Sequence, residues 1–203
     1  MIDLQKEEGG LWVITLNRPE KANSLTAAML EELAEIAESA GAARGLILTG
    51  AGKVFSAGAD LEEARAGLAV SPLWERLSGA LAALPCLKVA ALNGTLAGGA
   101  NGMALACDLR VAVPSAKIFY PVMKLGYLPQ PSDARRMRAL IGPTRTKLIL
   151  AAGQKITAEE AYAYGLIDRI AEPDQLMDSA RGLLADALAA RPDVASGILE
   201  MCR

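Results

Sequence analysis

The sequence predicts an α/β protein whose strands pair in parallel. Short apolar runs at residues 45–50, 86–94 and 109–113 are separated by stretches of helical period. Two turns of small residues, FSAGAD (55–60) and NGTLAGGANG (93–102), each follow such strands and open a helix, the place where α/β proteins carry their functional loops.

Taken in order, Trp12, Ile14 and Leu16 alternate with Val13, Thr15 and Asn17 in a strand that stops before Pro19. Thr26 caps a helix with Met29, Leu30, Leu33 and Ile36 on one face. The strand at 45–50 leads through the first turn into a helix after Asp60, and an amphipathic helix at 73–84 is ended by Pro85. The strand at 86–94 feeds the second turn and a short apolar helix through Met103 and Leu105, followed by strands at 109–113 and 117–120. Beyond Pro143 the chain turns mostly helical: Thr157 and Glu160 form a capping box, 166–170 is a short strand, and 175–190 an alanine-rich helix. No internal repeat is visible in the residues. The chain reads as one domain over 1–203, with a core to about 142 and a helical region from about 143.

Composition narrows the chemistry. With 52% hydrophobic residues and a net charge of -2, the chain buries a sizeable core and has no basic field for nucleic acid. The acidic, polar start MIDLQKEEGG is unlike a signal peptide and no apolar run spans a bilayer, so a cytoplasmic protein without a membrane partner is expected. Cys86, Cys107 and Cys202 have no metal-ligand spacing and are expected as reduced packing residues; no metal and no tightly bound cofactor are expected. The chain has no histidine, which removes Ser-His and Cys-His nucleophile systems.

Each glycine turn offers helix-opening amides free of bulky side chains. Aimed at one carbonyl oxygen, two such amides stabilise developing negative charge. Gly99 begins a helix, and its missing Cβ is expected to leave room for a bound group.

The segments LNRPEKANSL, LILTGAGKVFSAGADL, VAALNGTLAGGANGMALACDLRVA, MKLGYLP and ITAEEAYAYGLIDRI, in this order, resemble the enoyl-CoA hydratase/isomerase (crotonase) superfamily from about Leu11 to the last helix. The resemblance implies a crotonase-like (ClpP/crotonase) fold of repeated ββα units with a helical C-terminal region, and a homo-oligomer, trimer or dimer of trimers. It implies an acyl-CoA partner, with coenzyme A part of the substrate, and an oxyanion hole from the amides of Ala59 and Gly99. It places Arg18, Lys21, Ala22, Ala57, Gly58, Asp60, Gly98 and Val122 along the coenzyme and acyl groups. Asp60, read from its own surroundings, is first the N-cap of the following helix.

The departures from the family are as informative. The positions that hold the two glutamates of its hydratases are Gly102 and Val122, and Gln130 stands where some branches carry an acid. Hydration by paired glutamates is therefore not expected, which leaves lyase, isomerase or hydrolase chemistry, or a catalytically silent acyl-CoA-binding homologue acting as a regulatory or structural subunit. Asp133, in a loop where the family has small glycines, is the surviving acid/base candidate, with N-capping of the next helix as its structural alternative. Tyr120 would share a face with Val122 if its strand continued; a core tyrosine bonded to backbone is its alternative. Tyr127 and Asn101 complete the candidates. The chain ends sooner than its family pattern, so the helices that cover the acyl pocket are expected to be shortened.

Overall fold

The apolar runs become adjacent strands of one sheet in the computed structural model, which describes residues 1–202. Along the chain run β1 (Ile2–Lys6), β2 (Leu11–Leu16), α1 (Ala27–Ser39), β3 (Gly45–Gly50), β4 (Val54–Ser56), α2 (Leu61–Arg65), α3 (Leu73–Ala83), β5 (Leu87–Leu92), β6 (Thr95–Ala97) and α4 (Asn101–Ala106). There follow β7 (Leu109–Ala112), β8 (Lys117–Phe119), α5 (Val122–Leu125), α6 (Pro131–Leu150), β9 (Ile156–Thr157), α7 (Ala158–Tyr164), β10 (Arg169–Ile170), α8 (Leu176–Ala189) and α9 (Pro192–Met201).

A six-stranded sheet has the order β1-β2-β3-β5-β7-β10; a second, four-stranded sheet has the order β4-β6-β8-β9. From β2 to β10 the large sheet is parallel, as its unbroken apolar runs require, since a strand buried on both faces has no polar face to alternate with. β1 pairs antiparallel to β2 and was hidden in a polar opening whose residues are mostly exposed. Strands β4, β6 and β8 are short and parallel to one another. Each long strand β3, β5 and β7 is followed by one of these short strands and then by a helix, so the unit ββα occurs three times although the residues show no repeat. What recurs is a pattern of burial, which many side chains satisfy.

The helices begin where their caps are. Thr26 Oγ1 accepts from Met29 N at 3.2 Å, Asp60 caps α2 by accepting from Glu62 N at 3.1 Å, and Thr157 with Glu160 closes a reciprocal capping box on α7. Gly142, at φ +73°, kinks α6 immediately before Pro143. Helix α8 lays Leu176, Ala180 and Leu184 on the large sheet, and a Cβ at Gly45 would meet Leu188 at 3.2 Å. Cys86 and Cys107 are buried as expected, but Cys202 is exposed on the end of α9, a helix that buries none of its residues. Among the described residues no helix is long and apolar enough to cross a membrane, and no cluster of side chains could hold a metal ion.

Candidate active site

The carboxyl ends of β4, β6 and β8 lie side by side, so the residues that leave them converge. Ala57 and Ala59, Gly98 and Gly99, and Tyr120 with Val122 all line one cavity of about 210 Å³, closed further by Trp74, Leu125, Tyr127, Leu128 and Gln130. The two glycine turns thus face the same space.

The direction of the Ala59 amide follows from its neighbours. Leu25 pairs with this turn as in a parallel bridge: Leu25 N donates to Gly58 O and Asp60 N donates to Leu25 O, both at 2.8 Å. The peptide joining Gly58 to Ala59 has its carbonyl toward Leu25, so the Ala59 N–H points the opposite way and has no acceptor among the described residues. Gly99 is the second residue of a 3-10 turn (Gly98–Ala100) that precedes α4, where an amide has no partner within the helix. Gly58 and Gly98 take φ of +92° and +56°, and a Cβ on Gly58 would come 2.9 Å from Ala97 O. The close approach of the two turns thus depends on glycine at 58. At Gly99 the missing Cβ serves a different purpose from the one expected: it would lie 3.0 Å from the ring of Trp74, which is buried and donates from Nε1 to Leu68 O at 2.8 Å.

The second turn is held by buried amides. Asn101 Nδ2 donates to Gly98 O at 2.8 Å and Phe119 O at 3.1 Å, which fixes the turn against β8.

Asp133 does not cap α6, whose N-cap is Gln130; it is the third helical residue and its carboxylate faces inward, 1% exposed. Tyr120 Oη donates to its Oδ2 at 3.0 Å, so the tyrosine has a carboxylate partner in addition to a backbone hydrogen bond from Gln130. Nor does the strand continue to Val122: β8 ends at Phe119, and Tyr120 and Val122 reach the cavity from a turn and from the start of α5. Oδ1 of Asp133 is the one buried polar side-chain atom without a hydrogen-bond partner among the described residues. It stands 2.7 Å from where a Cβ on Gly102 would be. Burial raises the Asp133 carboxyl to about 7, against the hydrogen bond from Tyr120 and the charge of Arg136, which favour ionisation. Burial, together with the adjacent carboxylate, holds the Tyr120 phenol well above its ordinary range.

Beside the cavity, Arg18, Lys21, Ser24, Asp60 and Glu62 line a polar recess that shares Ala57, Ala59 and Leu61 with it. The Arg18 guanidinium is already engaged there, donating to Asp60 Oδ2 at 2.8 Å and to Ser24 O at 3.0 Å, and this holds the Asp60 carboxyl below its ordinary range. Lys21 is exposed and makes no ion pair among the described residues. Ala22, at φ +51°, ends the 3-10 turn Pro19–Lys21 and does not line the recess.

Residues 6–201 match the family model for enoyl-CoA hydratase/isomerase. The chain belongs to that family. It is 39% identical over 183 residues to YngF of Bacillus subtilis, covering 85% of this chain and 70% of that one. It is 32% identical over 209 residues to the 1,2-epoxyphenylacetyl-CoA isomerase of Escherichia coli, covering 97% and 79%. A crystal structure of enoyl-CoA hydratase from Bacillus anthracis superposes with a TM-score of 0.87 at 33% identity, covering 96% of this chain and 79% of that one. The fold is therefore crotonase-like, within the crotonase superfamily.

Sequence reasoning missed Trp74 as a wall of the site, because one tryptophan on an amphipathic helix reads as core. It also took Tyr120 and Asp133 one at a time. The signal for their pairing lay in two complementary departures: a glycine where the family has an acid, and an acid where it has glycine.

Proposed function

We propose that the protein binds an acyl-CoA thioester with its carbonyl oxygen between the amides of Ala59 and Gly99, and stabilises the enolate or oxyanion that forms there. The observation that carries this reading is the convergence on one apolar cavity of two helix-opening amides without partners among the described residues. The polar recess bounded by Arg18, Lys21 and Asp60 adjoins the cavity at Ala57 and is assigned to the coenzyme, with Lys21 as the cation free to meet phosphate. Gly102 and Val122 give no acid to the acyl pocket, so the chemistry is isomerase or lyase chemistry through an enolate, and enoyl-CoA hydration is poor.

One observation favours a second reading, a catalytically silent acyl-CoA-binding subunit: no carboxylate lines the cavity.

Titration with acetoacetyl-CoA, whose enolate absorbs in the ultraviolet, tests the leading proposal. The wild-type protein is expected to bind it and to raise the enolate band. Ala59→Pro, which deletes one donor, keeps the coenzyme contacts and loses most of the band. Binding without any band, or an undiminished band in a folded Ala59→Pro protein, would overturn the assignment.

A further inference from the structure

The cavity wall holds one group able to move a proton and continuous with a buried base, and it is assembled from residues that the family's usual acids do not include. Tyr120 lines the cavity; Asp133 does not, but its Oδ2 accepts from Tyr120 Oη at 3.0 Å. Both side chains are buried, at 4% and 1% exposure, so the pair exchanges protons with solvent only by way of the cavity that Tyr120 lines. Asp133 fits only because residue 102 is glycine: any side chain there would displace Oδ1. That oxygen, buried and without a hydrogen-bond partner among the described residues, costs stability that a structural role does not explain.

We propose that Tyr120 is the catalytic proton-transfer residue of this site and that Asp133, acting through it, is the positioning residue that holds the proton. This inference rests on the acyl-CoA reading above and goes beyond it by supplying the missing base. In the step, the α-C–H bond of the thioester breaks and its electron pair passes into the carbonyl, giving the enolate held at Ala59 and Gly99. Tyr120 Oη takes that proton as its own passes to Asp133 Oδ2. One negative charge moves from carboxylate to enolate, and the reverse sequence returns a proton to carbon. Because the phenol gives one proton as it receives another, it never carries a full charge, in keeping with a site that strongly disfavours phenolate. The groups facing Asp133 are Tyr120 beyond β8, Ser132 and Arg136 on α6, and Glu75 on α3; Arg136 donates to Ser132 Oγ at 3.0 Å and Glu75 accepts from Ser132 N at 2.9 Å.

Butyryl-CoA supplies the probe. Its affinity is measured directly, and exchange of its α-hydrogens in deuterium oxide is followed by mass spectrometry from pH 5 to 9. The wild-type protein is expected to bind it and to exchange, with a rate that rises with pH and levels off above a midpoint near the value of about 7 set for Asp133. Asp133→Asn and Tyr120→Phe slow exchange by ~100-fold or more while affinity changes little, and the pH profile of Asp133→Asn is flat. Gly102→Ala, which displaces the carboxylate without altering its chemistry, also slows exchange. A wild-type protein that binds butyryl-CoA without exchanging it, or an Asp133→Asn protein that exchanges at the wild-type rate, overturns the proton relay and leaves the acyl-CoA reading standing. Failure of the wild-type protein to bind overturns both.

Discussion

At the scale of single residues, Asp133 is an acid kept where water cannot reach it, and this has a consequence for stability that is independent of any reaction. Its carboxyl titrates near 7 in the folded chain and near its ordinary 3.8 when unfolded. Between these values the folded state holds a proton that the unfolded state has lost, so stability falls as pH rises from about 4 to about 7 and stays low above. A difference of this size corresponds to at most about 4 kcal/mol. Urea denaturation at pH 5 and pH 8 is expected to show the wild-type chain losing stability at the higher pH by more than Asp133→Asn does. Equal pH dependence in the two proteins would mean that the carboxyl is not strained by burial. Residues of this kind were half legible in the sequence. Asp133 stood out as a carboxylate in a segment of small residues, but an N-cap and a buried base begin a helix with similar letters, and only the path of the chain across Gly102 and Tyr120 separates them.

At the scale of elements, the amides of the site are placed by the turns between the long and short strands. Asn93, between β5 and β6, accepts from Gly50 N at 3.1 Å and donates to Gly52 O at 3.0 Å, tying its own turn to the one between β3 and β4. Asn23 adds bonds from Nδ2 to Ala51 O at 2.9 Å and Val54 O at 2.7 Å. These two amides set the second sheet against the first and so fix where β4 and β6 release the oxyanion turns. Gly94 is the tightest point: a Cβ there would overlap the carbonyl oxygen of Lys53. Gly94→Ala is therefore expected to cost at least ~2 kcal/mol by urea denaturation, since backbone and not a flexible side chain must give way. A loss under ~0.5 kcal/mol would show that the two turns are not locked together. The strands and helices around these turns were readable because burial leaves unbroken apolar runs, as in residues 45–50, and because helix starts carry their caps, as at Thr26 and Thr157. Of the second sheet only β8 was expected, from residues 117–120, because strands of three residues such as Val54–Ser56 and Thr95–Ala97 are too short to show a period.

At the scale of the whole molecule, the mouth of the cavity is apolar on the outside as well. Leu61, Leu125 and Leu128 line the cavity and are 75%, 58% and 85% exposed, so the proposed site has a hydrophobic rim. Helix α9 adds Val194, Ile198 and Met201, exposed along a helix that buries none of its residues. Surfaces of this kind on a folded protein mark contact with another molecule. The family resemblance supplies the partner as further copies of the same chain, and closed rotational symmetry is the ordinary way in which one patch covers another. The protein is accordingly expected to assemble as a trimer or a dimer of trimers. Size-exclusion chromatography coupled to light scattering at micromolar concentration measures this directly, and Leu128→Glu, which puts a charge on the most exposed rim leucine, asks whether the rim takes part. If the rim is covered by a neighbour, that variant shifts the mass toward monomer and weakens acyl-CoA binding at the same time, because the entrance to the cavity loses its cover. If it shifts the mass and leaves affinity unchanged, the rim is an assembly surface alone and each chain closes its own site. A wild-type monomer at that concentration would count against both.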